Sequence, residues 1–316
     1  MQLKSADIPY CAVRKELIRV AVPVLNVEEA RLFAYWVCER YRIRLAKEKH
    51  LPKPWTQDPI LQKYKFTNVR REQDKETIWL INHVCLNTNL SYGHTLLNCI
   101  LFRLFNKSQT IEHIGLVDFD NIPYDSIRKK LDSARFVLFS NAFFTSGPKA
   151  AANKLFSNEP NKAVRIIRLV ALHKAQDIIG RIMRSVTPRE VFEALESCPG
   201  LGRFLAYQIF VDFTYIPAFP FSENEFVVAG PGCKKGLRYL FSNTDGLTDE
   251  ELLFWLRDNQ KRVLGDLTRI LTDLPMNERT LSVMSLQNCM CEFSKYIRTT
   301  RGQGSPRIRY PGTAHA

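Results

Sequence analysis

From Glu28 to Lys49 apolar residues return at helical spacing: Leu32, Trp36 and Ile43 fall near one face, and Arg31, Arg42 and Lys49 fall elsewhere. That period predicts an amphipathic helix. The stretch 50–59, HLPKPWTQDP, carries three prolines and reads as a loop. Helices are expected over 75–86 and 93–106, the second with a stripe of Leu96, Leu97, Ile100, Leu101, Leu104 and Phe105, and a third over 125–134. RFVLFSNAFF at 135–144 is β-prone and is the best strand candidate. Residues 161–186 predict one long helix, and TPRE at 187–190 a capping-box start with Thr187 as N-cap, Pro188 at N1 and Glu190 at N3. Further helices are expected over 202–214, 232–242, 248–273 and 280–299.

The pattern is therefore mainly α with few short strands: an N-terminal arm (1–27), one compact unit (28–300) and a flexible basic tail (301–316). The unit divides into helical lobes of about 28–150 and 151–300 around a cleft. No window approaches eighteen uncharged apolar residues, which excludes a membrane-spanning helix, and the first residues lack the apolar run of a secretory signal. The eight cysteines form no CxxC pair and no clustered set of four, so zinc-ribbon and iron–sulfur sites are not expected, and free thiols in a reducing compartment are. Charge adds a partner: 45 Lys+Arg against 32 Asp+Glu, a net +13, implies a polyanion, and nucleic acid is the usual one.

The most informative local feature is VFEALESCPGLGRFLAYQIFVDF at 191–213. A helix ends, Pro199-Gly200-Leu201-Gly202 turns, and a second helix begins at once. Gly200 and Gly202 allow backbone conformations closed to other residues, their amides can point at a phosphate, and the dipole of the second helix favours the same anion. Arg203 stands beside them. This is the helix-hairpin-helix pattern with which DNA glycosylases grip a strand; a plain helical corner is the bland alternative. A lyase lysine two residues after the last glycine is absent, the position being Phe204, and FPFSENEFVVAGPG (219–232) offers Glu223 and Glu225 where a catalytic Asp is usual. GPGCKKG (230–236) lacks the GK[ST] ending of a P-loop, yet its amides with Lys234 and Lys235 suit a diphosphate as well as they suit a plain helix start.

Two further clusters carry candidate chemistry. KFTNVRREQD (65–74) gathers Lys65, Asn68, Arg70 and Arg71 around Phe66, with arginines suited to phosphate and an asparagine suited to a base edge. In SLQNCMCEFSKYIR (285–298), Asn288, Glu292 and Lys295 recur on one helical face.

PWTQDPILQKYKFTNVRREQD (54–74), NCILFRLFN (98–106), CPGLGRFLAYQIFVDF (198–213), FSENEFVVAGPG (221–232) and LQNCMCEFSKYIR (286–298) together resemble the alpha-glutamyl/putrescinyl thymine pyrophosphorylase family over about 28–300. The resemblance implies a helix-hairpin-helix, DNA glycosylase-like fold and an amino acid or polyamine:DNA transferase of bacteriophage thymine hypermodification. In that reaction an amine displaces pyrophosphate from activated 5-hydroxymethyluracil in double-stranded DNA, after a separate kinase has acted upstream. The implied setting is a bacterial host's cytoplasm. The acidic residue before FVVAGPG varies in the family and is Glu225 here.

On this reading Glu225 and Glu292 are candidate general bases, with Asp212 third. Lys65, Arg70, Arg71, Lys234 and Lys235 face the pyrophosphate. Trp55, Phe66, Asn68 and Asn288 form a pocket for a flipped base, while Gly200, Gly202 and Arg203 hold the backbone. An amine co-substrate is implied. No other cofactor is expected, and no metal site is indicated. A base-excising glycosylase and a non-catalytic DNA-binding module are the alternatives.

Overall fold

The protein is described by a computed structural model over residues 22–140, 146–265, 271–275 and 278–310. The described residues form fifteen α-helices and a single two-stranded antiparallel sheet, a mainly helical fold as the apolar periodicity predicts.

Helix α1 (Val27–Glu48) starts at Asn26, whose side chain accepts from the Glu29 amide, and buries Phe33, Trp36, Val37, Tyr41 and Ile43. The Asp58 carboxylate caps the short α2 (Pro59–Lys63), accepting from the Ile60 and Leu61 amides, and then takes the Tyr296 hydroxyl at 2.6 Å. Helix α3 (Lys75–Leu80) runs into a π-helical turn at Ile81–Cys85. Helix α4 (Tyr92–Phe105) is buried along its length and ends on Asn106 in the left-handed region, φ 47°. Helices α5 (Ser108–Ile114), α6 (Tyr124–Ser133) and α7 (Ser146–Leu155) come next.

The expected 161–186 helix is two helices, α8 (Lys162–Ala175) and α9 (Ile178–Arg184), divided at Asp177 with φ 57°. Apolar periodicity continues across the break, so the pattern alone does not reveal it. The hairpin is formed by α10 (Pro188–Glu196) and α11 (Arg203–Phe213). Helix α12 (Pro231–Leu240), α13 (Asp249–Asp258), α14 (Gln260–Leu264) and α15 (Val283–Thr300) complete the chain.

Residues 135–140 of the expected strand are irregular; the rest of it, 141–145, lies outside the described residues. Among the described residues no strand pairs with 135–140, and side chains take its carbonyls: Thr110 Oγ1 donates to Leu138 O at 2.7 Å, and the Lys107 ammonium donates to Val137 O. The sheet is made elsewhere, by β1 (Val24–Leu25) and β2 (Phe241–Asn243). The 1–27 arm therefore includes β1 and the start of α1; residues 1–21 lie outside the described residues.

Helix α1 packs on α12, α14 and α15, so the two ends of the chain build one part of the core. Helix α4 packs on α8, α9 and α11 to build another. The α12–α15 contact is close: a Cβ on Gly236 would lie 2.3 Å from Met290 O, and one on Gly232 would lie 2.4 Å from Cys291 Sγ. The tail, expected to be flexible, is tied down as far as Tyr310. Lys65 N donates to Ile308 O (2.9 Å) and Tyr310 N to Lys63 O (3.1 Å), and Arg301 pairs with Glu29. Among the described residues no helix is long and apolar enough to cross a membrane.

Candidate functional site

At the hairpin, Thr187 Oγ1 accepts from the Glu190 amide (3.2 Å), while the Glu190 carboxylate reaches one residue further than a capping box would and takes Val186 N (2.7 Å). Residue 200 must be glycine: its φ is +81°, and a Cβ there would lie 3.0 Å from Ala151 Cβ and from Pro148 Cα. The turn is pinned from beneath by His173, wholly buried, whose Nε2 donates to Pro199 O at 2.9 Å. Burial lowers the pKa of this imidazole and favours the neutral ring. Arg181 holds Ser197 Oγ at 2.9 Å.

Gly202 is the N-cap of α11; it supplies no side-chain cap, and no atom lies within 4 Å of where its Cβ would stand. The first turn of an eleven-residue helix therefore opens beside the exposed Arg203, whose guanidinium lies 5.3 Å from the Phe192 ring centre. Gly200, Gly202 and Arg203 thus stand together, as the sequence places them.

Behind the hairpin lies a buried charged hub. Asp212, with no exposure, accepts from Arg103 through Nε and Nη2 (both 2.6 Å) and from Arg71 Nη2 (2.7 Å). Arg103 also bonds Asn106 Oδ1 (2.6 Å), and Arg71 bonds the Gln208 side chain and its carbonyl. A carboxylate closed in by two guanidiniums has no free lone pair aimed at solvent. Asp212 and Arg71 hold α4, α11 and the 65–74 segment to one another.

The other candidates divide between packing and surface. Phe66 is buried against Trp36 (ring centres 6.0 Å) and Tyr296 (6.2 Å), so its ring is core. Arg40, also buried, holds the Phe66 and Thr67 carbonyls (2.9 and 3.1 Å). Asn68 donates to Gln73 O (2.9 Å) and Asn288 to Thr67 Oγ1 (3.2 Å), which brings 65–74 and α15 together. Glu292 is buried and bound by Lys295. Arg70 pairs with Glu72 and donates to Glu278 O. Lys234 pairs with Asp249 at 3.1 Å. Lys65, Lys235 and Glu225 are exposed, and Glu225 closes its own turn on Ser222 N (2.8 Å). Trp55 is half-buried against Tyr310.

Of a set of buried oxygens from 72, 207, 215 and 223, sequence reasoning singled out only Glu223. Glu72 Oε2, Glu223 Oε2 and the hydroxyls of Tyr207 and Tyr215 are all buried without a hydrogen-bond partner. Burial first, and then the Glu72 carboxylate, push the pKa of Glu223 up; burial and then Glu223 do the same to Tyr215. Asp74 is raised to about 6, chiefly by burial. No sequence signal joins residues that far apart.

One potential metal-ligand group exists among the described residues, His94, Asp118 and Asp120. Lys174 pairs with Asp120 there, so an ammonium already supplies the positive charge.

No solved structure matches this chain. A curated relative, the 5-hmdU DNA kinase of Bacillus phage SP10, is 29% identical over 274 residues, which are 79% of this chain and 42% of the relative. The chain thus spans less than half the length of that protein. A family model described as the helical domain of 5-hmdU DNA kinase matches residues 28–305.

These matches overturn the thymine pyrophosphorylase resemblance. With it fall the amine transfer it implied, the placing of the kinase as a separate upstream partner, and the glycosylase alternative. The reason is visible in the motifs that carried the resemblance. Asp58, Phe66, Arg71, Arg103, Asp212 and Gly232 are residues of the packing, and packing specifies a scaffold while leaving the chemistry open. The chain belongs to the 5-hmdU DNA kinase helical-domain family.

Proposed function

We propose that this chain serves the phosphorylation of 5-hydroxymethyluracil in DNA, and that its helical unit supplies the DNA-holding side of the reaction. The family match over 28–305 carries the reading. The net charge of +13 and the open first turn of α11 beside Arg203 support it.

In this reading α10 and α11 act as a helix-hairpin-helix, in the manner of a DNA glycosylase. The amides after Gly202 and the Arg203 guanidinium take a backbone phosphate. Two helical lobes flank a cleft where the base is presented, with Trp55, Asn68 and Asn288 nearest to it. Lys65, Lys235 and Arg70 line the approach, while Arg71, Phe66 and Asp212 act by holding these segments in place.

The hydroxymethyl oxygen attacks the terminal phosphorus of a nucleoside triphosphate, the nucleoside diphosphate leaves, and the hydroxyl proton goes to a carboxylate. Glu225, exposed on the 219–230 loop, is the candidate acceptor. The glycines of GPGCKKG do not serve as a phosphate cradle here: Gly232 and Gly236 are occupied in packing against α15. Nucleotide binding is accordingly assigned to a segment outside this helical unit.

The test uses the chain with duplexes carrying 5-hydroxymethyluracil, and reads anisotropy for binding and nucleoside mass spectrometry for phosphate gained from ATP. Binding without product is the outcome expected of the DNA-holding side alone. Binding together with a phosphorylated nucleoside would put nucleotide binding within this chain and overturn its assignment to another segment. Absence of DNA binding at low salt sinks the proposal.

A further inference from the structure

The hairpin turn is tied to the body of the protein through a single titratable ring. His173, near the end of α8, donates from Nε2 to Pro199 O at 2.9 Å. Among the described residues, the other hydrogen bonds made by 198–202 stay within the hairpin: Leu201 N to Cys198 O, Cys198 Sγ to Ala194 O and Ala206 N to Gly202 O. The His173 side chain is wholly buried, and its Nδ1 has no hydrogen-bond partner. Pro199 and Gly200, at the other end of the bond, are half-buried, so the turn meets solvent on its outer side.

This setting suits one charge state. With the Nε2 proton given to Pro199 O, Nδ1 of the neutral ring carries only a lone pair. The imidazolium would add an N–H at Nδ1 with no acceptor, and a charge with no counter-ion. Burial accordingly lowers the pKa, against a smaller upward pull from the Pro199 carbonyl. Charged groups on the elements packed against α8 are engaged elsewhere. Lys174 of α8 itself is taken by Asp120, Arg103 of α4 by Asp212, Arg128 of α6 by Glu159 and Arg181 of α9 by Ser197 Oγ, while Lys149 of α7 lies over the Phe139 ring. In the turn, burial pushes the Cys198 thiol up to about 11 and keeps it neutral.

We propose that His173 is a positioning residue of the DNA grip, and that proton uptake by this buried ring releases the hairpin turn together with the phosphate it holds. The proton adds at Nδ1, and water reaches the new cation as the turn lifts from α8, carrying Gly202 and Arg203 with it. This rests on the proposed function, which places a phosphate at those two residues. A ring whose pKa is lower in the closed turn than in the open one, where it returns to about 6.5, favours the closed turn above that pH. The advantage is lost as pH falls below it. Net charge predicts the opposite: a chain of +13 that gains more protons holds a polyanion more tightly.

Duplex binding by the full chain is measured by anisotropy at fixed ionic strength from about pH 8 to about pH 5.5, across the histidine range. Wild type is expected to weaken toward low pH, by at most about tenfold per pH unit, the limit for one proton. His173→Gln offers an amide donor to Pro199 O without a titrating ring. It should bind more tightly than His173→Leu at the upper pH and lose the fall at the lower one. Identical pH profiles for wild type and His173→Gln overturn the proposal. So does a wild type that weakens only as its helical circular dichroism is lost, because that is global unfolding. An NMR titration of the free chain, following the His173 ring and the Gly200 and Gly202 amides, needs no DNA. If ring and amides shift together while wild type binds no DNA at any pH, the latch stands and the proposed function fails. If they do not shift together, the latch fails whatever the DNA result.

Discussion

Asp212 shows how a residue that looks like chemistry becomes architecture. In the sequence it is an acid shortly after a glycine turn, and Arg71 is one of an arginine pair; they are 141 positions apart. Their pairing, together with Arg103, depends on three segments meeting, and no local pattern announces that. Breaking such a buried group by removing one partner's charge leaves the others uncompensated, at a cost of about 3–5 kcal/mol. Asp212→Asn keeps the shape and removes the charge. It should lower unfolding stability in urea by that amount, with activity tracking stability; an unfolding midpoint equal to wild type would show the hub to be dispensable. Glu223 is the opposite case. The sequence offered it only as one of two acids beside FVVAGPG, while its burial and the Glu72 carboxylate that acts on it from far along the chain are what set Glu223 apart.

Among the elements, the hairpin was legible because its signals are local: a capping threonine, a proline at N1, and glycines at the two turn positions. The two glycines nevertheless do different work. Gly200 is fixed by its backbone and its neighbours, whereas Gly202 has φ −76° and open space around its missing side chain. Gly202→Asp should therefore cap α11 and raise stability, by no more than about 1 kcal/mol. It should also weaken DNA binding, because the new carboxylate occupies the amides and repels phosphate. Melting temperature and DNA affinity should move in opposite directions; a variant that binds DNA as well as wild type would show that the α11 terminus is not a phosphate contact. The errors at this scale share one cause. The break at Asp177 and the irregular course of 135–140 are set by neighbouring elements, and local propensity is silent about both.

For the whole molecule, composition pointed to a polyanion and periodicity to a helical fold, and both come from counts along the chain. The family could not be read the same way, because the motifs that suggested one encode packing.

The meeting of the chain's two ends has a mechanical consequence. Helix α1 is joined covalently to the rest of the core on its C-terminal side only through Lys49 and the exposed loop beyond it. It is held, however, by residues more than two hundred positions away: its Phe33 ring against Phe293, its Tyr41 and Arg44 side chains on Asp273, and the backbone N of its cap residue Asn26 on Leu240 O. A tryptic nick after Lys49 should leave a two-chain complement that elutes as one species in gel filtration and separates only in denaturant. Immediate release of the N-terminal fragment would refute this. If the nicked pair holds, the loop at 49–58 is a dispensable tether, and the polypeptide could be opened there and rejoined elsewhere without loss of its architecture.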